Sequence, residues 1–239
     1  MKNLKKYAKA IILLTVIILL VCFSFYKISK SRSSQFFGGL TSHVNTEEKI
    51  IALTFDDAPT EYTNEILEIL DDKNVKATFF VVGKNFEKYP LEGEAIIENG
   101  HEIGNHSYSH QRCIFKSQTF IESEIEKTNT LIHDHGYKGE ITFRPPNGKK
   151  LFGLPYYLNK NNIKTIMWDV EPDTYVSGDA DAIVKYTVEN TKPGSIILLH
   201  PLNGTAGEAD REALPKIIDE LKAGGYSFVT VSQLLKYEN

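Results

Sequence analysis

Cysteine is nearly absent from this chain: there are two in 239 residues. Cys22 lies in an apolar run near the N-terminus and Cys113 lies far from it, in the mixed remainder. A disulfide within the folded part and a cysteine-based zinc site are therefore both excluded. A strong charge of either sign is also missing. The net charge is −4, so nucleic acid is not an expected partner. No G-x-G-x-x-G follows the first apolar segment and no G-x-x-x-x-G-K-S/T occurs anywhere, which removes the usual nucleotide-binding signals. Internal repeats and low-complexity tracts are lacking too. What is present is 41% hydrophobic and 24% charged residues, enough for one domain with a large core.

There is one long hydrophobic run. Lys2, Lys5, Lys6 and Lys9 precede Ala10–Tyr26, and Lys27 closes it. Its length falls within the roughly 17–25 residues that span a bilayer. The lysines should stay in the cytoplasm, so the C-terminal remainder of the chain should face outward. A cleaved signal peptide, giving a secreted protein, is the alternative, but no A-x-A-like site comes after the run. Leu19-Leu20-Val21-Cys22 is a poor lipoprotein site because Val21 is too bulky. Residues 1–28 are thus expected as an uncleaved membrane anchor, 29–48 as a polar, aperiodic linker, and 49–239 as the folded domain.

From residue 49 short apolar strands alternate with amphipathic helices. Strands are expected at 50–55, 77–82, 102–105, 140–143, 164–170, 195–199 and 227–231. Helices fall between them, with Pro90 breaking one, Ser117 capping another, and Ser232 capping the last. Ile121, Ile125, Thr128 and Ile132 form a buried stripe at helical spacing. Seven strands, each followed by helical text, imply a parallel sheet with crossover helices, either a barrel or an open doubly wound sheet.

Ionisable residues gather at the strand ends: Asp56 and Asp57 after the first, His106 and His110 after the third, Arg144 after the fourth. Asp169, Glu171 and Asp173 sit at and after the fifth, and His200 directly follows the sixth. In a parallel barrel these ends share one face. His106 and His110 have the H-x-x-x-H spacing, which on one helical turn puts both imidazoles on the same side. A carboxylate from a neighbouring strand would complete a His₂-carboxylate site for a catalytic divalent metal. The other aspartate is then a candidate general base, Arg144 its bidentate partner, and His200 a proton donor.

With these residues in place the chain resembles the polysaccharide deacetylases, carbohydrate esterase family 4, over about residues 49–237. Thr54-Phe55-Asp56-Asp57, His106-Ser107-Tyr108-Ser109-His110, Arg144-Pro145-Pro146-Asn147 and Leu198-Leu199-His200 follow the family's motifs in order. The resemblance implies a distorted parallel (β/α)7 barrel, TIM-barrel-like, here preceded by one transmembrane helix. It implies Asp56 as base, Asp57, His106 and His110 as ligands of one metal (zinc, with cobalt or nickel as alternatives), and His200 as general acid. It also implies Leu198 lining an acetyl pocket and a backbone N–H at Asn147 stabilising the oxyanion. Asn147 stands where the family has an aromatic. The fourth motif departs further. Aligned without gaps on Trp168, Thr174 takes the second acidic position and Tyr175 that of an aromatic facing the sugar; Asp173 serves only if the loop shifts by one residue. The implied activity is N-deacetylation of an extracellular amino-sugar polymer, a chitin-like glycan or peptidoglycan GlcNAc or MurNAc. The alternatives are an O-acetyl esterase and a glycan-binding relative without turnover. A monomer is expected, with the glycan and the membrane as its partners.

Overall fold

A computed structural model describes residues 2–176 and 178–238, the side chains of residues 2–5 and 8 excepted. The N-terminal run is one helix, α1 (Lys2–Ser29). Its segment Lys9–Ser29 has a mean hydropathy of 2.6 and no buried residue in its most apolar stretch. By length and composition it can cross a bilayer.

The domain is organised around β2 (Ile50–Ala58), which is buried almost throughout. It pairs in parallel with β3 (Thr78–Val81) on one side and with β6 (Ile196–Leu199) on the other. β3 pairs in turn with β4 (Glu102–Asn105). From there the ring is carried by single rungs. Asn105 bridges Phe143, Phe143 bridges Thr165 of β5 (Thr165–Ile166), and Val170 bridges Ile197 of β6. The circuit closes, and β7 (Ser227–Val229) pairs with the first residues of β2. This is the distorted parallel barrel expected.

Two expected strands are reduced, for visible reasons. The strand at 140–143 shrinks to Phe143, because Pro145 and Pro146, just past Arg144, have no N–H to continue the ladder. The strand at 164–170 is split because the Asp169 side chain takes the Ile196 N–H at 2.9 Å. The Asp169 and Val170 amides are left to share the Ile196 carbonyl.

Residues 29–48, expected as a linker, are docked for much of their length. β1 (Leu40–Thr41) pairs in parallel with β5. Val44 is fully buried and donates to the Gly194 carbonyl at 2.9 Å. Gly194 has φ 82°, and a Cβ there would lie 1.8 Å from the Val44 oxygen, so only glycine fits. The barrel therefore begins near residue 40 rather than 49.

The helices cover the outside: α2 (Thr63–Asp72), α3 (Gly83–Lys88), α4 (Pro90–Glu98), α5 (Gln118–Asp134), α6 (Gly153–Lys160), α7 (Ala180–Asn190), α8 (Glu208–Ala223) and α9 (Val231–Leu234). Pro90 starts α4, where its missing N–H costs nothing. Ser117 caps α5 by accepting from Phe120 N at 3.2 Å. The last short helix is capped by Thr230 with Gln233 in a capping box, not by Ser232. Side chains alternate along β2. Ile51, Leu53 and Phe55 join the large core under the helices, whereas Ile50 and Ala52 join the inner core with Phe80, Trp168 and Leu198. That period of two points Thr54 and Asp56 into the barrel.

Candidate active site

Asp56 is 3% exposed and Arg144 stands beside it. The guanidinium, fully buried, donates to Asp56 Oδ1 at 2.8 Å, to Thr54 Oγ1 at 2.8 Å and to the Met167 carbonyl at 3.2 Å. It stacks over Phe80 with 4.0 Å to the ring centre. Burial alone would raise the Asp56 carboxyl. The Arg144 charge, backed by His106 and His200, outweighs burial and holds Asp56 below the usual carboxylate range. Asp56 is thus ionised, buried and oriented.

Consecutive strand residues face opposite ways, yet Asp57 also reaches the site. Its φ is 66°, and the β2–β3 register shifts between Phe55 and Ala58. This local bulge turns the second carboxylate toward the same mouth. His106 and His110 do not lie on a helical turn, contrary to expectation. They flank an irregular loop in which Ser107 and His110 both have positive φ. Asn105 Oδ1 accepts from Ser107 N at 2.7 Å, and Ser107 Oγ accepts from His110 N at 3.0 Å. Glu124 of α5, 6% exposed, receives Ser109 N at 2.8 Å and its hydroxyl at 2.9 Å. The two imidazole centres end 4.9 Å apart.

Asp57, His106 and His110 each offer a donor atom, and these atoms lie within 4.8 Å of one another. His106 Nδ1 donates to the Arg144 carbonyl at 2.7 Å, which leaves its Nε2 lone pair free. Burial, and then neighbouring His106, lower the His110 pKa, which favours the neutral ring as a donor. Two imidazoles and one carboxylate fit a divalent cation of the zinc type, with cobalt and nickel as chemically suitable alternatives.

Across the cavity, His200 follows β6. Its Nδ1 bonds to the Asp173 carboxylate. The loop after Val170 is therefore shifted by one residue relative to the ungapped alignment. Asp173 meets the histidine, while Thr174 instead donates to Glu171 at 2.7 Å. Burial opposes charging of His200, but the Asp173 hydrogen bond and the nearby Asp56 raise its pKa to about 9. Asp210, in the first turn of α8, accepts the His200 main-chain N–H at 2.8 Å. The sequence reading missed it, because it lies ten residues beyond the histidine without a motif.

The cavity holds about 560 Å³ and is lined by Asp56, Asp57, both loop histidines, Asn147, Trp168, Asp173, Leu198, His200 and Asp210, among others. That is room for one or two sugar units. Asn147 and Leu198 line the cavity. Tyr175 does not: it is 63% exposed and stacks on Tyr186 with 5.1 Å between ring centres. The one-residue shift of the loop carries it outside. Asp169 is structural, bonded to Ser195, Ile196 N and His43. Glu171 pairs with Arg32 at 2.5 Å.

Residues 43–166 match the protein family described as polysaccharide deacetylase. Among curated proteins, the chain is 35% identical to a peptidoglycan-N-acetylglucosamine deacetylase of Bacillus cereus, covering 84% of this chain and 95% of that one. It is 34% identical to a peptidoglycan-N-acetylmuramic acid deacetylase of Bacillus subtilis, covering 80% of this chain but 40% of the relative. Among solved structures, the Bc1960 peptidoglycan N-acetylglucosamine deacetylase superposes with a TM-score of 0.77 at 34% identity, over 83% of this chain and 94% of that one.

Proposed function

The chain belongs to the polysaccharide deacetylase family, carbohydrate esterase family 4, and from that premise we propose that it removes N-acetyl groups from peptidoglycan in a metal-dependent reaction outside the cell. The observation that carries this reading is one cavity with an ionised, arginine-held Asp56 beside the Asp57–His106–His110 donor set and a protonated His200 facing them.

Asp57, His106 and His110 would hold a divalent cation, and its chemistry there would be Lewis acidity toward water and the acetyl carbonyl. Asp56 takes the proton from the attacking water, and Arg144 holds the carboxylate so that only one oxygen is free to accept it. The backbone N–H at Asn147 donates to the oxygen that becomes negative. His200, charged below pH 9 or so, gives its proton to the departing sugar nitrogen as the C–N bond breaks. Acetate and a free amine result. Leu198, fully buried in the cavity wall, packs against the acetyl methyl.

The relatives named above act on GlcNAc or MurNAc of peptidoglycan, and α1 is suited to keep the domain against the outer face of the membrane, beside that polymer. We read the enzyme as a single-pass membrane protein acting as a monomer, with zinc as its metal. The test is acetate release by the full chain in detergent, on peptidoglycan, chitooligosaccharide and acetylated xylan, with zinc, cobalt or nickel. Release from peptidoglycan should vanish in Asp56→Asn and in His106→Ala. Persistence in both would overturn the mechanism. Release from acetylated xylan alone would identify an O-acetyl esterase instead, and glycan binding without any release a binder that lacks turnover.

A further inference from the structure

His200 has two carboxyl neighbours, not one. Asp173 bonds its ring. Asp210, 4% exposed in the first turn of α8, accepts its main-chain N–H at 2.8 Å. The donor atoms of Asp173, His200 and Asp210 all lie within 4.8 Å of one another. Asp210 therefore does more than cap a strand end: its carboxyl faces the same carboxylate that holds the imidazole.

We propose that Asp210 is a positioning residue for the proton-donating histidine, pinning the His200 main chain and, through its carboxyl, setting the charge that the Asp173–His200 pair experiences. The proposal rests on the reading of His200 as proton donor. Asp210 is buried and Asp173 half-buried, and two carboxylates this close, one of them out of water, disfavour each other's ionisation unless a cation compensates. The groups that face this cluster are Asp56 and Asp57 from the end of β2, His110 from the loop after β4, Asp173 from the loop after Val170, and Asp210 itself. Arg211, the nearest cation on α8, is turned away to the carbonyls of Pro201 and Gly204 at 2.6 and 2.9 Å. Among the described residues, the cation left to the cluster is His200. Burial, then the Asp173 charge, push the Asp210 carboxyl up to about 7. Near neutrality it carries a proton toward Asp173. In more alkaline solution it is a second anion beside the imidazolium and keeps that proton on the ring. His200 thus stays a competent acid over a wider pH range than one carboxylate would give.

Asp210→Asn separates this from a purely structural role, because the amide oxygen still accepts the His200 N–H while the charge is gone. The imidazole pKa of His200 would be read by NMR titration of histidine-labelled, zinc-loaded full chain in detergent micelles, with His200→Gln identifying the resonance. The pKa should fall by about one unit in Asp210→Asn. The alkaline limb of kcat should move down with it, while KM changes by less than about twofold. In Asp210→Ala kcat should fall by about tenfold, and Asn should restore most of it at pH 7. An unshifted His200 resonance and an unshifted alkaline limb in a folded Asp210→Asn protein would overturn the proposal. Should Asp210→Ala not fold, the Asn variant still decides. The NMR shift does not depend on substrate, so absence of acetate release would count against the deacetylase reading while leaving the coupling measured.

Discussion

His101 makes the stability of this domain acid-sensitive, and the size of the effect can be worked from its surroundings. It sits at the entry to β4, the end of the strand away from His106, and is 4% exposed. Its Nδ1 accepts the Ala77 N–H at 3.1 Å, and its ring meets Phe79 edge-on at 5.3 Å. A proton on Nδ1 would remove that acceptor and bury a charge. Burial, and then Lys76, accordingly lower its pKa to about 4, against 6.5 in an unfolded chain. Between those values the unfolded state binds the proton and the folded state does not. The contribution is therefore complete above pH 6.5 and is lost as pH falls toward 4. At about 1.4 kcal/mol per unit, the full loss is about 3.5 kcal/mol, of which about 2 kcal/mol is gone by pH 5. The substitution His101→Asn would put an amide oxygen where the ring nitrogen accepts, on a side chain that does not titrate. In urea unfolding at pH 7.5, His101→Asn should be less stable than the parent by about 1–2 kcal/mol through lost packing. By pH 5 that gap should close or reverse by about 2 kcal/mol, with the carboxylates common to both proteins cancelling. A gap constant to within about 0.5 kcal/mol would show that His101 does not drive the acid sensitivity.

Arg144→Met leaves a buried Asp56 carboxylate without its partner. It should cost about 3–5 kcal/mol in urea unfolding and lower kcat by about 100-fold or more as the base takes up a proton. Arg144→Lys keeps the charge but cannot bond Thr54, Asp56 and the Met167 carbonyl together. It should fold with kcat reduced, and a parental kcat would mean that charge alone suffices. Glu124→Ala releases Ser109 from α5 and should weaken zinc affinity about tenfold in a chelator competition; an unchanged affinity would mean that Asn105 and Ser107 hold the loop by themselves.

How much of this was legible in the sequence depends on what kind of order was being read. The continuous apolar text of β2 reported burial on both faces, and the spacing of Ile121, Ile125, Thr128 and Ile132 reported the inward stripe of α5, because these follow from one element's own period. The shortening at Phe143 follows from Pro145 and Pro146, which the sequence does show. The short rung at Val170 was not legible, because it depends on the Asp169 side chain intercepting the Ile196 main-chain donor. Asp173 against Thr174 was undecidable for the same reason: the loop is set by what meets His200, and spacing from Trp168 carries no such information. Tyr175 followed Thr174 into the wrong place. Asp210 had no signal at all, since a helix-start aspartate is common and only the fold brings it to the strand end.

The site is also where local rules are broken, and the breaks support one another. Among the described residues, seven other than glycine have positive φ, and four of them, Asp57 at the end of β2 and Ser107, His110 and Asn147 beyond other strand ends, stand around the cavity. Each costs on the order of 1 kcal/mol relative to ordinary backbone. Each is tied down by a polar partner. Asn85 Nδ2 donates to the Asp57 carbonyl at 2.7 Å, Asn105 receives Ser107 N, Ser107 receives His110 N, and Arg112 Nε donates to Asn147 Oδ1 at 2.8 Å. Without the turn at Asp57, alternation would send one of two adjacent carboxylates into the apolar layer under the helices, next to Phe55 and Ala58. With it, Asp56 faces Arg144 and Asp57 faces His110 at 3.3 Å. Aspartate tolerates this conformation better than most residues. Two neighbouring residues of the same type can therefore take different tasks, one kept ionised by a buried guanidinium and the other paired with the imidazoles.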